Sequence, residues 1–136
     1  MADRTGRCVC GAVTYTATLK SDDIGVCHCG LCRRSSAGPF MAVDASAITF
    51  ADGAPVTRYA SSEWASRCFC ATCGTSLAWI SNDGKIIEIA AYTLDELPSG
   101  RLTTEIFVDD KPSHYDFAGD TQKLTGAEVI AMAQGG

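Results

Sequence analysis

The chain has 136 residues, 46% of them hydrophobic, and a formal net charge of -5 at pH 7. This length supports one hydrophobic core, so a single domain over residues 1–136 is expected. The acidic balance and the lack of any block of lysine or arginine argue against binding to nucleic acid or to an anionic membrane surface. Partners are expected to be small or weakly charged.

Residues 1–7 lack the apolar stretch of a secretory signal, and no apolar run reaches the roughly 18 residues that span a bilayer. We therefore expect a soluble cytoplasmic protein. Because disulfides are disfavoured in a reducing compartment, the eight cysteines are better explained by metal binding or redox chemistry.

Short strands are predicted along most of the chain. Apolar residues alternate over residues 13–19, a turn is expected at residues 21–24, and residues 27–39 are typical of a loop wrapped around a metal. Further strands are predicted at residues 40–43, 56–59, 66–70, 75–80, 85–92 and 103–108. Their number and spacing indicate an all-β sandwich or barrel.

Two local signals are especially clear. Residues 81–84 read Ser-Asn-Asp-Gly between two apolar runs, which predicts a β-hairpin. Thr125 and Glu128 have capping-box spacing before an apolar stretch, which predicts a short C-terminal helix.

The cysteines fall into three tight groups. Short spacings place thiolates a few ångströms apart, as a tetrahedral soft metal ion such as zinc requires. The groups are Cys8-Val-Cys10, Cys27-His-Cys29-Gly-Leu-Cys32 and Cys68-Phe-Cys70-Ala-Thr-Cys73.

Two cysteine pairs are followed by glycine, at Gly11 and Gly74. In a zinc knuckle, a glycine with positive φ lets backbone N–H groups approach the sulfurs. Pairing the two knuckles predicts a structural zinc ion held by Cys8, Cys10, Cys70 and Cys73.

The middle group offers three thiolates from one segment, Cys27, Cys29 and Cys32. Three protein ligands and one open position describe a catalytic zinc, so these are the predicted catalytic residues. Two alternatives stay open: Cys68 could close the site as a fourth ligand, or the segment could hold no metal and act by thiol redox chemistry. His28, between two ligands, is expected to pack or to form a hydrogen bond.

The three cysteine motifs together resemble the glutathione-dependent formaldehyde-activating enzymes and their centromere protein V relatives. The matching stretches are residues 6–15, 27–33 and 67–77, with a weaker match at residues 105–112 and Tyr115. In order and spacing they cover residues 6 to about 117.

The resemblance implies a zinc-stabilised all-β fold of the β-tent type with two antiparallel sheets, to which the short C-terminal helix is added. It also implies the same division of cysteines between a structural and a catalytic zinc. In the founding enzymes the reaction condenses glutathione with formaldehyde to give S-hydroxymethylglutathione. Relatives often carry histidine near Glu105 and tryptophan near His114, so that wall is expected to differ here.

The expected function is that of a zinc-dependent carbon–sulfur lyase or synthase acting on a thiol–aldehyde adduct such as S-hydroxymethylglutathione. Three thiolates weaken zinc as an electrophile, and nearby positive charge would partly restore it. Arg33 and Arg34 are candidates for neutralising a substrate carboxylate, against the simpler explanation of a solvated surface pair.

A zinc-stabilised binding or scaffold module without catalysis is the alternative function, and a thiol-redox protein is the third. Trp64 and Trp79 are expected to be core or lid residues. Glu88 is expected on the solvent-facing side of a strand rather than as a general base.

Overall fold

Strands make up most of the regular secondary structure in the described part of the chain, as the spacing of its apolar residues predicts. The computed structural model describes residues 3–135, so Met1 and Ala2 of the N-terminal segment and the final Gly136 lie outside the described range. Within that range the strands are β1 Asp3–Arg7, β2 Thr14–Cys27, β3 Phe40–Phe50, β4 Val56–Ala60, β5 Ala65–Cys70, β6 Ser76–Ser81, β7 Ile87–Ala90, β8 Leu102–Ile106 and β9 Gln122–Leu124.

Two α-helices accompany the strands, α1 Gly30–Ser36 and α2 Gly126–Gly135, with short 3-10 helices at Ala91–Thr93 and Val108–Asp110. The all-β class with a short C-terminal helix is therefore confirmed. No helix within residues 3–135 is long and apolar enough to cross a membrane.

The described strands form one continuous sheet, whereas two antiparallel sheets were expected. The described strands form one hydrogen-bonded path in the order β4-β5-β6-β7-β3-β2-β8-β9, with β1 also paired to β2. The β2–β8 and β8–β9 pairings are parallel. Strand β2 joins both parts because it has 14 residues: its first half pairs with β1, and its second half pairs with β8.

The turn predicted at residues 21–24 is wrong, because β2 runs through it. The β2–β3 register shifts between Thr18 and Leu19 and again between Leu19 and Ile24, so the extra residues are accommodated as a bulge. The Ile24 N–H resumes pairing by donating to the Arg101 carbonyl at 2.9 Å. The strand thus continues past residues 20–23, which fall in a gap of the β2–β3 register, because pairing with both β3 and β8 resumes at Ile24.

The loop predicted at residues 27–39 contains helix α1 instead. Its N-cap is Cys29, whose Sγ accepts the Cys32 N–H at 3.4 Å. The helix ends at Ala37, which is left-handed with φ 56°, and the Gly38 N–H donates to the Arg33 carbonyl. Cysteine is not among the residues that usually mark the start of a helix, which are Ser, Thr, Asp and Asn. The sequence therefore did not indicate this helix.

Both clear local signals are confirmed. The Gly84 N–H donates to the Ser81 carbonyl at 2.9 Å in the β6–β7 hairpin. At α2 the Thr125 N–H donates to Glu128 Oε1 at 2.9 Å, and the Glu128 N–H donates to Thr125 Oγ1 at 3.2 Å. This reciprocal pair is a capping box.

The central strands separate two apolar layers. The larger layer holds most of the buried side chains, among them Val13, Val43, Leu77 and Ile89. A smaller layer on the opposite face contains Cys32, Phe40 and Ala42, with Cys27, Cys29, Trp79 and Ala90 packed against it. The sequence-predicted catalytic cysteines therefore lie on one face of the sheet, away from the main core.

Substituting Gly6 tests the tight β1–β2 contact. A Cβ at Gly6 would overlap the ring of Tyr15, its cross-strand partner. Tyr15 is buried and its hydroxyl is hydrogen bonded to Thr93 Oγ1, so it has little freedom to move. We expect Gly6→Ala to lower the free energy of unfolding by about 1–3 kcal/mol in denaturant titrations. Gly119→Ala, where a Cβ would meet nothing within 4 Å, is the control and should change little.

Candidate metal centres and their surroundings

Four of the predicted ligands meet in space. The sulfurs of Cys8, Cys10, Cys70 and Cys73 all lie within 4.8 Å of one another and could hold a metal ion. The Cys8–Cys10 sulfur separation is 3.6 Å and the Cys10–Cys70 separation is 3.8 Å. A tetrahedral Zn–S₄ site with bonds of about 2.3 Å has sulfur–sulfur edges of about 3.8 Å, so the donor set fits zinc.

Backbone N–H groups point at these sulfurs, as the knuckle geometry predicts. The Val13 N–H lies 3.3 Å from Cys8 Sγ, and the N–H groups of Thr72 and Cys73 lie 3.3 and 3.4 Å from Cys70 Sγ. Gly11 and Gly74 have φ of 79° and 80°, which a side chain would strain. Such donors stabilise thiolates over thiols.

Thr75 links the two knuckles. Its Oγ1 accepts the Val9 N–H at 3.1 Å and lies 3.1 Å from Cys73 Sγ. This hydrogen bond is the main reason that the pKa of the Cys73 thiol falls to about 5. Within the cluster the proton is therefore lost first at Cys73. The Ala12 N–H lowers the pKa of Cys10, but Cys8, burial and the other two cysteines outweigh it and raise that pKa to about 11.

The other three predicted ligands form a separate cluster. Cys27, Cys29 and Cys32 have sulfurs within 4.8 Å of one another and could also hold a metal ion. Cys27 ends β2, whereas Cys29 and Cys32 come from the cap and first turn of α1. The hydrogen bonds from Cys27 and Cys32 lower the pKa of Cys29, so thiolate forms there first.

Cys68 belongs to neither cluster of sulfurs. Its side chain is buried in the larger apolar layer, whereas the three-cysteine cluster packs against the smaller one. Burial raises the pKa of its thiol although Arg58 lies beside it. The structure thus places Cys68 as a core residue.

The two tryptophans differ in placement. Trp79 is half-buried and packs against the three-cysteine cluster, as a lid residue would. Trp64 is 66% exposed, so of the two expected placements, core or lid, the structure excludes the core. His114 is also exposed.

His28, which lies between Cys27 and Cys29 in sequence, is fully buried. Its Nε2 lies 2.8 Å from Glu105 Oε1, and its Nδ1 lies 2.9 Å from the Tyr115 hydroxyl. Glu105 is 1% exposed and also accepts a hydrogen bond from Thr121 Oγ1. Burial raises the pKa of Glu105, but the bonds from Thr121 and His28 outweigh it and the pKa is lowered. The Glu105 carboxylate is therefore the acceptor of a hydrogen bond that His28 Nε2–H donates.

Arginine side chains surround the three-cysteine cluster. Arg67 Nη2 donates to Cys32 Sγ at 3.3 Å, and Arg33 Nε donates to the His28 carbonyl at 3.1 Å. Terminal nitrogens of Arg33 and Arg34 lie 3.7 and 3.6 Å from the point where a Cβ on Gly30 would be. Within residues 3–135, none of the three guanidinium groups forms an ion pair with a carboxylate.

Arg67 is the site residue that sequence reasoning missed. It lies directly before Cys68 in a cysteine motif, but only the β5–β6 register turns it toward Cys32. Its Nε is buried and has no hydrogen-bond partner among the described residues.

Glu88 is not a simple solvent-facing residue. It is half-buried and lies directly opposite Asp44 on the neighbouring strand β3. Burial and the Asp44 carboxyl raise the pKa of Glu88 to about 8. The pair therefore holds a proton at neutral pH, which ordinary surface glutamates do not.

Two adjoining cavities open beside α1. One of about 280 Å³ is lined by Arg67 and Phe40, both of which contact the three-cysteine cluster. The other, of about 760 Å³, is more open and shares Ser35, Ser36, Phe40, Gly74 and Ser76 with the first. Together they have the size of a small-molecule site.

Removing the Glu105 carboxylate tests the buried network. Glu105→Ala would leave His28 buried without its anionic partner, and we expect about 3–5 kcal/mol of destabilisation in denaturant titrations. Asp116→Ala removes an exposed ion pair with Lys111 and should cost less than about 1 kcal/mol. Equal losses in the two variants would contradict a structural role for the buried pair.

Comparisons with known proteins agree with this architecture. The model of the family described as glutathione-dependent formaldehyde-activating enzyme matches residues 3–110. A relative from Schizosaccharomyces pombe, named an uncharacterized lyase, is 33% identical over 132 residues, which cover 96% of each chain. The crystal structure of a Rhodobacter sphaeroides protein superposes with a TM-score of 0.58 at 25% identity, covering 73% of this chain and 99% of that chain.

These matches confirm the resemblance that the cysteine motifs suggested and support the expectation of a lyase. The family match spans all eight cysteines and both clusters. The chain belongs to the glutathione-dependent formaldehyde-activating enzyme family.

Proposed function

We propose that the protein is a zinc-dependent carbon–sulfur lyase or synthase that joins a thiol of the glutathione type to an aldehyde such as formaldehyde and splits the adduct. The observation that carries this proposal is the three-cysteine cluster on its own face of the sheet, with arginines and cavities beside it. A purely structural site has four protein ligands, whereas this one offers three.

One zinc ion would stabilise the fold, with four ligands from Cys8, Cys10, Cys70 and Cys73. Cys27, Cys29 and Cys32 would hold a second with a free position. When bound there, zinc polarises a carbonyl oxygen and keeps a thiol as thiolate near neutral pH, where a free thiol of pKa about 8.5 is mostly protonated.

The arginines supply what an anionic thiol substrate needs. The chain carries 16 acidic and 11 basic residues, yet Arg67 donates to Cys32 Sγ, and Arg33 and Arg34 lie beside Gly30 in the same segment. Within residues 3–135 none of the three guanidinium groups forms an ion pair with a carboxylate. Arg67 offsets charge on Cys32, and Arg33 and Arg34 are placed to bind and orient substrate carboxylates. A tripeptide thiol with two carboxylates matches this charge pattern.

Apolar side chains complete the proposed site. Trp79 and Phe40 pack against the cysteines and reduce the access of water to them. The cavity beside Arg67 gives room for the remainder of the substrate. A drier environment strengthens the attraction between the guanidinium groups and an anion.

Cysteine variants test the division of the ligands. Cys29→Ala is expected to lower the zinc content from two ions to one per chain and to leave the far-ultraviolet circular dichroism largely unchanged. Cys73→Ala is expected to unfold or aggregate the protein, because structural zinc contributes folding free energy directly. Metal content is measured by atomic emission on purified protein.

Cys68→Ala is the matched control for that experiment. Because Cys68 lies in neither cluster, this variant should keep both zinc ions despite a small loss of core packing. Loss of one zinc ion in Cys68→Ala would contradict the open three-ligand site and favour a closed one.

The activity is tested by the rate at which glutathione exchanges with S-hydroxymethylglutathione, followed by exchange nuclear magnetic resonance (NMR) with labelled formaldehyde. We expect wild-type protein to accelerate exchange at least about 100-fold over buffer and Cys29→Ala to lose that acceleration. If protein with both zinc ions accelerates exchange for none of several thiols and aldehydes, the protein is a binding or scaffold module.

A further inference from the structure

The guanidinium group of Arg67 has fewer partners than a charge in its surroundings needs. The side chain is half-buried, and within residues 3–135 its only hydrogen bond runs from Nη2 to Cys32 Sγ at 3.3 Å. Its Nε is buried and has no partner in the same range. A guanidinium group carries five N–H donors, and charge withdrawn from water is ordinarily paired and hydrogen bonded. Arg67 therefore has donors left for an anionic partner.

The space for that partner is the smaller cavity, of about 280 Å³, which Arg67 lines. One wall comes from the end of α1 and the other from β4, β5 and β6. Ser76 Oγ on β6 holds the walls together by donating to the Ser35 carbonyl at 3.0 Å. Ser36 also lines the cavity, and its buried Oγ has no hydrogen-bond partner among the described residues. Two polar side chains with unused hydrogen-bonding capacity thus border one space.

Aromatic side chains form much of the remaining lining. Phe40, Tyr59 and Phe69 all border the cavity, and the Phe40 ring centroid lies 5.9 Å from Arg67 Cζ. A mainly apolar lining with a few placed polar groups is typical of small-molecule sites. It also excludes water, which strengthens the attraction between a guanidinium group and an anion.

The two arginines of α1 lie outside this space. Arg33 Nε donates to the His28 carbonyl, and neither Arg33 nor Arg34 lines either of the two cavities beside the helix. An anion inside the smaller cavity therefore meets Arg67 rather than the helix arginines.

We propose that the smaller cavity is a subsite for a carboxylate of the thiol substrate, in which Arg67 binds the carboxylate and the Ser36 hydroxyl donates a hydrogen bond to it. This inference rests on the proposed function. The substrate thiol lies at the three-cysteine cluster, and its carboxylate binds to the guanidinium group that also donates to Cys32.

Sharing one guanidinium group limits the length of the substrate. Charge-assisted N–H···O bonds are about 2.8 Å long, so a carboxylate bound to Arg67 lies within about 9 Å of Cys32 Sγ. Because an extended chain spans about 3.5 Å per residue, this distance favours substrates with thiol and carboxylate on the same or on neighbouring residues. The cysteinyl-glycine end of a tripeptide thiol meets that condition. The larger adjoining cavity has room for the rest of such a molecule.

The test uses two probes that differ only in the carboxylate, N-acetyl-cysteinyl-glycine and its carboxamide. Their binding to protein loaded with two zinc ions is measured by isothermal titration calorimetry. We expect wild type to bind the acid at least about 10-fold more tightly than the amide, because hydrogen bonds between charged groups are the strong ones. Equal affinity for the two probes in wild type, or binding of neither, would overturn the subsite.

Variants assign the preference to residues. Arg67→Gln should bring the two affinities within about 2-fold of each other, and Ser36→Ala should reduce the preference by about 3-fold. Neither change should alter the affinity for the amide. Arg101→Gln, at an exposed position just before β8, is the matched control and should keep the full preference.

Arg33→Gln and Arg34→Gln test the competing assignment and should also keep the preference for this probe. If either loses it while Arg67→Gln retains it, the carboxylate binds to the helix arginines and the subsite is overturned. If Arg67→Gln fails to fold or to hold both zinc ions, Ser36→Ala decides, and an unchanged preference in that variant overturns the subsite.

The binding measurement needs no turnover, so its outcome is separate from that of the glutathione exchange assay. Accelerated exchange without a preference for the acid overturns the subsite and leaves the proposed function standing. A preference that depends on Arg67, in a protein that accelerates no exchange, supports the subsite and overturns the proposed reaction.

Discussion

The rest of the structure depends on the meeting of two cysteine knuckles from distant parts of the chain. Cys10 and Cys70 are 60 positions apart, yet their sulfurs lie 3.8 Å from each other. One knuckle joins β1 to β2 and the other joins β5 to β6. Closing so long a loop costs conformational entropy, which coordination of a metal ion by the four cysteines would offset. The two regions of the sheet are thereby held in one arrangement.

That arrangement gives the central strands two different faces. The larger apolar layer supplies most of the hydrophobic stabilisation, and it includes Cys68. The opposite face is left with a small apolar patch, three cysteines, arginines and a carboxyl pair. Because the larger layer supplies most of the hydrophobic stabilisation, polar side chains on the opposite face cost the fold little stability.

A buried pair of polar residues supports the segment that carries the three cysteines. His28 and Glu105 are almost completely removed from water and satisfy each other, with Tyr115 and Thr121 completing the network. His28 lies between Cys27 and Cys29 in sequence, so its attachment to β8 also fixes the direction in which these two cysteines leave β2. The network would orient them for a metal ion in the way that outer groups around metal sites commonly do.

The cysteine spacings alone predicted which thiols would meet, because residues two or three apart in a knuckle are constrained by local geometry. Alternating apolar residues, the Asn-Asp-Gly turn and the capping box at Thr125 likewise act over a few residues, and each was correctly predicted. Helix α1 was missed because its cap is a sulfur. The turn predicted at residues 21–24 is absent because β2 passes through it as a bulge and resumes pairing at Ile24. Only the tertiary structure could decide the placement of Cys68 in the core, Arg67 at Cys32 and Glu88 beside Asp44. Each depends on the register between strands far apart in sequence, where a shift of one residue would turn the side chain to the other face.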